Sequence, residues 1–255
     1  MTRVISILNF KGGTGKSSLA ENLSHALARA GKKVLVIDAD RQVNSSSTLL
    51  GGQASPTLTG VLKGEVPLSA TIKRARENLY VVPSDGDLDT ASPYILSHRA
   101  AYYLLRKQLQ QLDDIFITLI DHAGAYTPVM ESCLLASNAM LIPCELEPYA
   151  TQGLFSMFKK LGETLVDHEL KNAGIIPYNV DLRYGMAKQY LSELRQEFNG
   201  FITTAIRTDA IVPKAQSVKM TVFEYEEEYS VKSRAAQDFT TLAEDLIEEM
   251  EETSR

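Results

Sequence analysis

Cysteine is scarce in this chain: Cys133 and Cys144 are the only two, and both lie inside apolar stretches. A disulfide framework is therefore excluded, and the two thiols read as packing residues. No apolar run approaches the roughly 20 residues that a membrane-spanning helix needs, so any membrane contact would be peripheral. No secretory signal precedes the first apolar run, which points to the cytoplasm. Repeats, low-complexity tracts and linkers are also missing, and one domain is expected over residues 1–255. Nor is there a basic surplus. With 26 basic and 32 acidic residues the net charge is −6, so binding to a polyanion would need a local basic face.

The most informative stretch that is present runs from Val4 to Leu19: an apolar segment, Val4–Leu8, then Lys11-Gly-Gly-Thr-Gly-Lys-Ser-Ser18, then helical periodicity. Gly12, Gly13 and Gly15 can take backbone angles closed to other residues, so successive N–H groups can face one anion. The helix that follows adds the positive end of its dipole. In such a loop Lys16 reaches the β and γ phosphates of a nucleotide, and the Ser17 hydroxyl ligates Mg²⁺. Ser18 is placed for the α phosphate.

Short runs rich in β-branched residues recur at Val4–Leu8, Val34–Ile37, Leu79–Val82, Ile115–Ile120, Ala139–Pro143, Gly174–Pro177 and Phe201–Ile206. Helical spacing fills most of the gaps. This alternation implies an α/β fold, a mostly parallel, doubly wound sheet with helices on both faces. In the first helix Leu19, Leu23, Ala26, Leu27 and Ala30 form an apolar face, and Gly31 stops it. Residues 45–64 read as a loop with a short helix around Leu58–Lys63. A long helix is expected after Pro93, with Ile95, Leu96, Tyr102, Leu105, Leu109 and Leu112 on its packing side; Tyr102 and Tyr103 read as packing residues. The last helix spans Ala235–Met250 and ends in an acidic cluster.

The phosphate loop departs from the common Gly-x4-Gly-Lys-Ser/Thr pattern, because Phe10 stands at the first glycine and Lys11 precedes the glycine pair. Lys-Gly-Gly-x-Gly-Lys-Ser resembles the deviant Walker A motif of the ParA/MinD family of dimeric P-loop ATPases. The resemblance extends along nearly the whole chain. Asp38-Ala-Asp40-Arg-Gln-Val-Asn44 is similar to the family's Asp-x-Asp-Pro-Gln-Gly-Asn, with Arg41 and Val43 replacing Pro and Gly. Phe116-Ile-Thr-Leu-Ile-Asp121 looks like a Walker B strand. The resemblance implies that Lys11 crosses a dimer interface to the partner's nucleotide, that Asp40 orients the attacking water, and that Asp38 supports the Mg²⁺ shell together with Asp121. Residues 174–179 and 206–213 fall where the family places its base-binding loops, which makes Tyr178, Arg207 and Asp209 candidates for adenine or ribose contact. His122 follows the Walker B acid and reads either as a neutral contact near the γ phosphate or as a turn residue.

As a member of this family the chain would hydrolyse ATP weakly unless stimulated. It would bind nucleoid DNA non-specifically as an ATP-bound homodimer, and a ParB-like adaptor would release it, so that DNA or a large cargo is segregated or positioned. Between Arg183 and Val222 six basic residues (Arg183, Lys188, Arg195, Arg207, Lys214, Lys219) face three acidic ones (Glu193, Glu197, Asp209), a local surplus that dimerisation would double. The phosphate loop starts so near residue 1 that no N-terminal helix-turn-helix, and no repression of its own promoter, is expected. The competing readings are a MinD-like membrane-surface ATPase, which the acidic tail disfavours, an iron–sulfur reductase, a phosphate-loop ligase, and a non-catalytic nucleotide-gated scaffold.

Overall fold

The computed structural model of the chain describes residues 3–166, 168, 170–198 and 203–252. In chain order its elements are β1 (Arg3–Ile7), α1 (Lys16–Arg29), β2 (Val34–Ala39), α2 (Asn44–Leu50), α3 (Leu58–Leu62), α4 (Leu68–Thr71), β3 (Lys73–Arg76), β4 (Leu79–Val82), α5 (Ala91–Ser97), α6 (Leu104–Leu109), β5 (Ile117–His122), α7 (Pro128–Ala136), β6 (Ala139–Glu145), α8 (Ala150–Thr164), β7 (Lys171–Tyr178), α9 (Gly185–Glu197), α10 (Ile211–Ser217), α11 (Val222–Tyr229) and α12 (Arg234–Glu252). Seven strands make one sheet in the order β3-β4-β2-β5-β1-β6-β7, parallel except for β3, which pairs antiparallel with β4.

The strands are apolar throughout because both faces are covered. Along β2, Val34 and Val36 pack with Leu19, Leu23, Leu27 and Phe239 on one side, while Leu35 and Ile37 pack with Leu58, Leu62, Leu105 and Ile95 on the other. A third cluster joins Leu8, Met140 and Ile142 to Leu154, Met157 and Leu161 of α8. Each leucine fully buried in these layers stabilises by about 2 kcal/mol relative to exposure. Ligands of open α/β sheets bind beyond the carboxyl ends of strands where the chain reverses its order. Here that point lies at β1, flanked by β5 on one side and β6 on the other.

Four sequence expectations change. Ala30 is exposed, because α1 ends one residue earlier and Ala30 is its cap. The segment after Asn44 opens with a helix, α2. The long helix after Pro93 breaks at His98, whose backbone is extended, and the Ser97 hydroxyl takes up the Pro93 and Tyr94 carbonyls. Leu96 is consequently exposed; Tyr102 is partly buried among apolar neighbours and Tyr103 stays outside. Of the expected strand at 201–206, residues 201 and 202 lie outside the described residues. Residues 203–206 form no strand, although Thr203 and Ile206 donate their N–H groups to Ile175 and Pro177 of β7.

Candidate functional site

A cleft of about 690 Å³ opens at the carboxyl edge of the sheet. Its floor is the β1–α1 loop, one wall is the segment after β2, and the opposite wall is the loop that leads into α10. Of the residues singled out in the sequence, the glycines at 12, 13 and 15, Lys16, Ser17, Ser18, Asp40, Tyr178, Arg207 and Asp209 all line it. Lys11, Thr14, Asp38 and Asp121 do not.

Gly13 and Gly15 adopt left-handed φ of 77° and 87°. A Cβ added at Gly12 or Gly13 would meet nothing, so the cradle is open, whereas one at Gly15 would fall inside the Tyr178 ring. Glycine is thus required at 15 by packing as well as by angle. Tyr178 is buried beneath the loop, and its hydroxyl donates to Ser18 Oγ at 2.7 Å. This is a support role rather than an open face for a base. Lys16 is 8% exposed; its ammonium donates to the Lys11 carbonyl at 3.2 Å, and burial lowers its pKa against the pull of Asp121 and Asp40. Lys11 is exposed and forms an ion pair with Glu147, on the segment between β6 and α8. Thr14 is buried, with its hydroxyl turned to the Lys11 carbonyl.

Behind the loop the two acids Asp38 and Asp121 sit side by side on β2 and β5, both fully buried. Burial, and Asp38 beside it, push Asp121 up to about 7. Burial likewise raises Asp38 to about 6, against hydrogen bonds from Ser46 and Asp40. Both acids are gripped by α2. Ser45 donates to Asp121 Oδ2 at 2.7 Å, and Ser46 gives Asp38 Oδ2 both its N–H at 2.8 Å and its hydroxyl at 2.6 Å. Neither serine was singled out in the sequence; the signal was two hydroxyls directly after the Asp-x-Asp segment. Asp121 Oδ1 stays buried without a hydrogen-bond donor. An acceptor left over beside Ser17 fits a site for Mg²⁺ and its water. Among the described residues no three His, Cys, Asp or Glu side chains form a metal-binding group.

Asp40 is half-exposed at the cleft wall and accepts the Gln42 N–H at 2.9 Å. Arg41 reaches Asp89 at 3.5 Å. Val43 holds a left-handed φ of 53°, the conformation its family glycine allows freely. His122 ends β5 and is not in a turn: it is buried, its Nε2 is 2.7 Å from Ser6 Oγ, its Nδ1 has no hydrogen-bond partner among the described residues, and burial lowers it to about 3, so it is neutral.

On the far wall, Asp209 has no free carboxylate. One oxygen accepts the Ile211 N–H, and the other accepts Ser233 Oγ and the N–H groups of Arg234 and Ala235 at the start of α12. Arg207 is clamped by Asp238 through its backbone N–H and a guanidinium fork at 2.7 to 3.0 Å. The basic candidates Arg183, Lys188, Arg195, Lys214 and Lys219 are all exposed outside the cleft, with Arg183 forked onto Asp181. Cys133 and Cys144 are free and buried, and burial pushes both thiols up to about 12. Free, buried and enclosed in apolar clusters, both act as packing residues.

A family model for an AAA domain matches residues 2–176. The chromosome partitioning protein ParA of Caulobacter vibrioides is 30% identical over 254 residues, covering 96% of this chain and 94% of that one. The chromosome-partitioning ATPase Soj of Thermus thermophilus is 28% identical, with 98% and 97% covered. Among solved structures, the septum site-determining protein MinD of Pyrococcus horikoshii, complexed with Mg-ADP, superposes with a TM-score of 0.76 at 25% identity over 96% of each chain. The deviant phosphate loop, the sheet order and these matches agree: the chain belongs to the ParA-type P-loop ATPases.

Proposed function

We propose that the chain is a positioning ATPase of the cytoplasm, residues 1–255 acting as one domain. It would dimerise on ATP, bind DNA without sequence preference in that state, and be released when a ParB-like adaptor stimulates hydrolysis. The observation that carries this reading is the division of labour between its two loop lysines. Lys16 is held at the cleft floor, whereas Lys11 lies outside the cleft and exposed on the surface. A lysine so placed serves the phosphates of a second copy better than its own.

In that dimer the loop N–H groups and Lys16 would hold the phosphates, with Ser18 at the α phosphate. Ser17, with Asp121 and Asp38 behind it, would hold Mg²⁺, which when bound neutralises charge on the transferring phosphoryl group. Asp40, at the cleft wall, orients the attacking water, and the partner's Lys11 stabilises the charge that develops in transfer. The Arg207 to Gln216 wall would enclose the base, through backbone groups and the Arg207 guanidinium more than through the capped Asp209 carboxylate. Arg183, Lys188, Arg195, Lys214 and Lys219, doubled by symmetry, supply cations for DNA phosphates.

The test is binding of the Asp40→Ala protein to random-sequence duplex DNA with ATP, with ADP and without nucleotide over a salt series. Binding only with ATP, falling by at least tenfold between low and moderate salt, is expected. Dimers that form on ATP yet ignore DNA would remove DNA as the track.

A further inference from the structure

Arg76 closes β3, the edge strand, at an irregularity in the pairing with β4, and points its half-buried guanidinium under α2. It donates from Nη1 to the Leu49 carbonyl at 2.7 Å and from Nη2 to the Thr48 carbonyl at 3.4 Å, the last turn of that helix. Its other edge makes a fork with Glu224, Nε to Oε1 at 2.6 Å and Nη2 to Oε2 at 2.9 Å. Glu224 is itself fixed. It closes the capping box of α11 with Thr221, whose hydroxyl lies 2.7 Å from His25 Nδ1 on α1. Next to it the Val222 N–H donates to Asn22 Oδ1, and Asn22 donates to the Ser18 carbonyl. The guanidinium therefore ties α2 to α1, the helix that carries Lys16, Ser17 and Ser18.

The front of α2 bears Ser45 on Asp121 and Ser46 on Asp38, and the Asp40 to Asn44 segment leads straight into it. The helix is only seven residues long, too short to hold its place by its own hydrogen bonds. Its position is set at both ends, by the two acids in front and Arg76 behind. A cation at the carboxyl end also meets the negative pole of the helix, where lysine or arginine is favoured.

We propose that Arg76 is a positioning residue for hydrolysis. By gripping the far end of α2 against Glu224 it fixes Ser45 and Ser46 on the buried carboxylates and sets Asp40 at the cleft wall, without touching nucleotide itself. This rests on the ATPase reading above. Removing the guanidinium leaves two helix-end carbonyls without their donor and Glu224 without its counter-ion, while the phosphate loop keeps every contact. Turnover should suffer and nucleotide binding should not.

The experiment compares wild type, Arg76→Gln and Arg76→Lys in two readouts: phosphate release with affinity for a fluorescent ATP analogue, and amide hydrogen exchange by segment. For Arg76→Gln, kcat is expected to fall at least tenfold with analogue affinity within threefold. Exchange over residues 40–50 should rise at least tenfold, with β1 and β5 unchanged. Arg76→Lys, which keeps the charge but not the fork, should fall between and stands in if the glutamine variant does not fold. Unchanged exchange over 40–50 overturns the proposal, whatever the hydrolysis. So does a kcat within twofold of wild type, even at a lowered melting temperature, since that marks Arg76 as a strand-edge support only. A wild-type chain that hydrolyses no ATP sinks the ATPase reading separately, and the exchange readout still decides whether Arg76 holds α2.

Discussion

Glu21 is 1% exposed in α1, its Oε2 has no hydrogen-bond donor, and Asp121 and Asp38 share its surroundings. Burial, with the repulsion of Asp121 added, raises its pKa well above the ordinary 4.5. A carboxyl raised in the folded state binds more protons folded than unfolded. Its contribution to stability is complete below the unfolded value of 4.5 and is lost as pH rises through the folded one. Asp38 and Asp121, raised to about 6 and about 7, act in the same direction. His25, lowered to about 4 by burial, acts in the opposite one: it supports the fold above 6.5 and that support goes as pH falls through 4. Glu21→Gln keeps the shape without the charge, so at pH 8 it should stabilise by on the order of 1 kcal/mol, with the gain vanishing near pH 4.5. Thermal melts followed by circular dichroism across that range test this, and an equal gain at both ends would remove ionisation as the cause. At this scale the sequence was readable where chemistry is local. Glycines followed by Lys16, Ser17 and Ser18 announce a phosphate site whatever the rest of the chain does. Asp209 was not readable, because its carboxylate is taken up by Ser233 and the start of α12, partners remote in sequence.

Among the elements, α1 was legible from its leucine spacing alone, since one face meets the sheet along its length. α2 was not. Its serines have weak helix propensity and usually mark loops, but here two of their hydroxyls are drawn onto buried acids that only the folded sheet supplies. β3 escaped for a related reason: Lys73-Arg-Ala-Arg76 carries no apolar run, because an antiparallel edge strand needs none. The entry into α2 also stores strain. A β-branched residue with φ of 53° is disfavoured by roughly 1 to 3 kcal/mol, a cost that glycine at the same angle avoids. Val43→Gly should therefore leave the protein as stable as wild type or raise stability by about 1 kcal/mol, after the entropy that glycine adds to the unfolded chain. Urea unfolding gives the answer. A loss above about 1 kcal/mol would mean that Val43 side-chain packing outweighs the angle.

For the molecule as a whole the decisive contact is the one between Lys11 and Glu147. Their side chains are 52% and 37% exposed, so water screens the pair and it holds only weakly. The phosphates of a second copy's nucleotide present more negative charge than one carboxylate, so Lys11 would leave Glu147 when two copies meet face to face. In the proposed dimer Glu147 would therefore compete weakly for Lys11. Lys11→Ala should melt within a degree or two of wild type and bind nucleotide as a monomer nearly as well, because Lys16 and the loop are untouched. It should lose the nucleotide-dependent dimer by tenfold or more in dissociation constant. Glu147→Ala should tighten that dimer by no more than about fivefold, because a water-screened surface pair can withhold little. Sedimentation velocity with a non-hydrolysable ATP analogue, over a concentration series, reads all three proteins on one scale. If Lys11→Ala dimerises like wild type, the lysine does not cross the interface, and the charge on the transferring phosphoryl group must be met from within one chain.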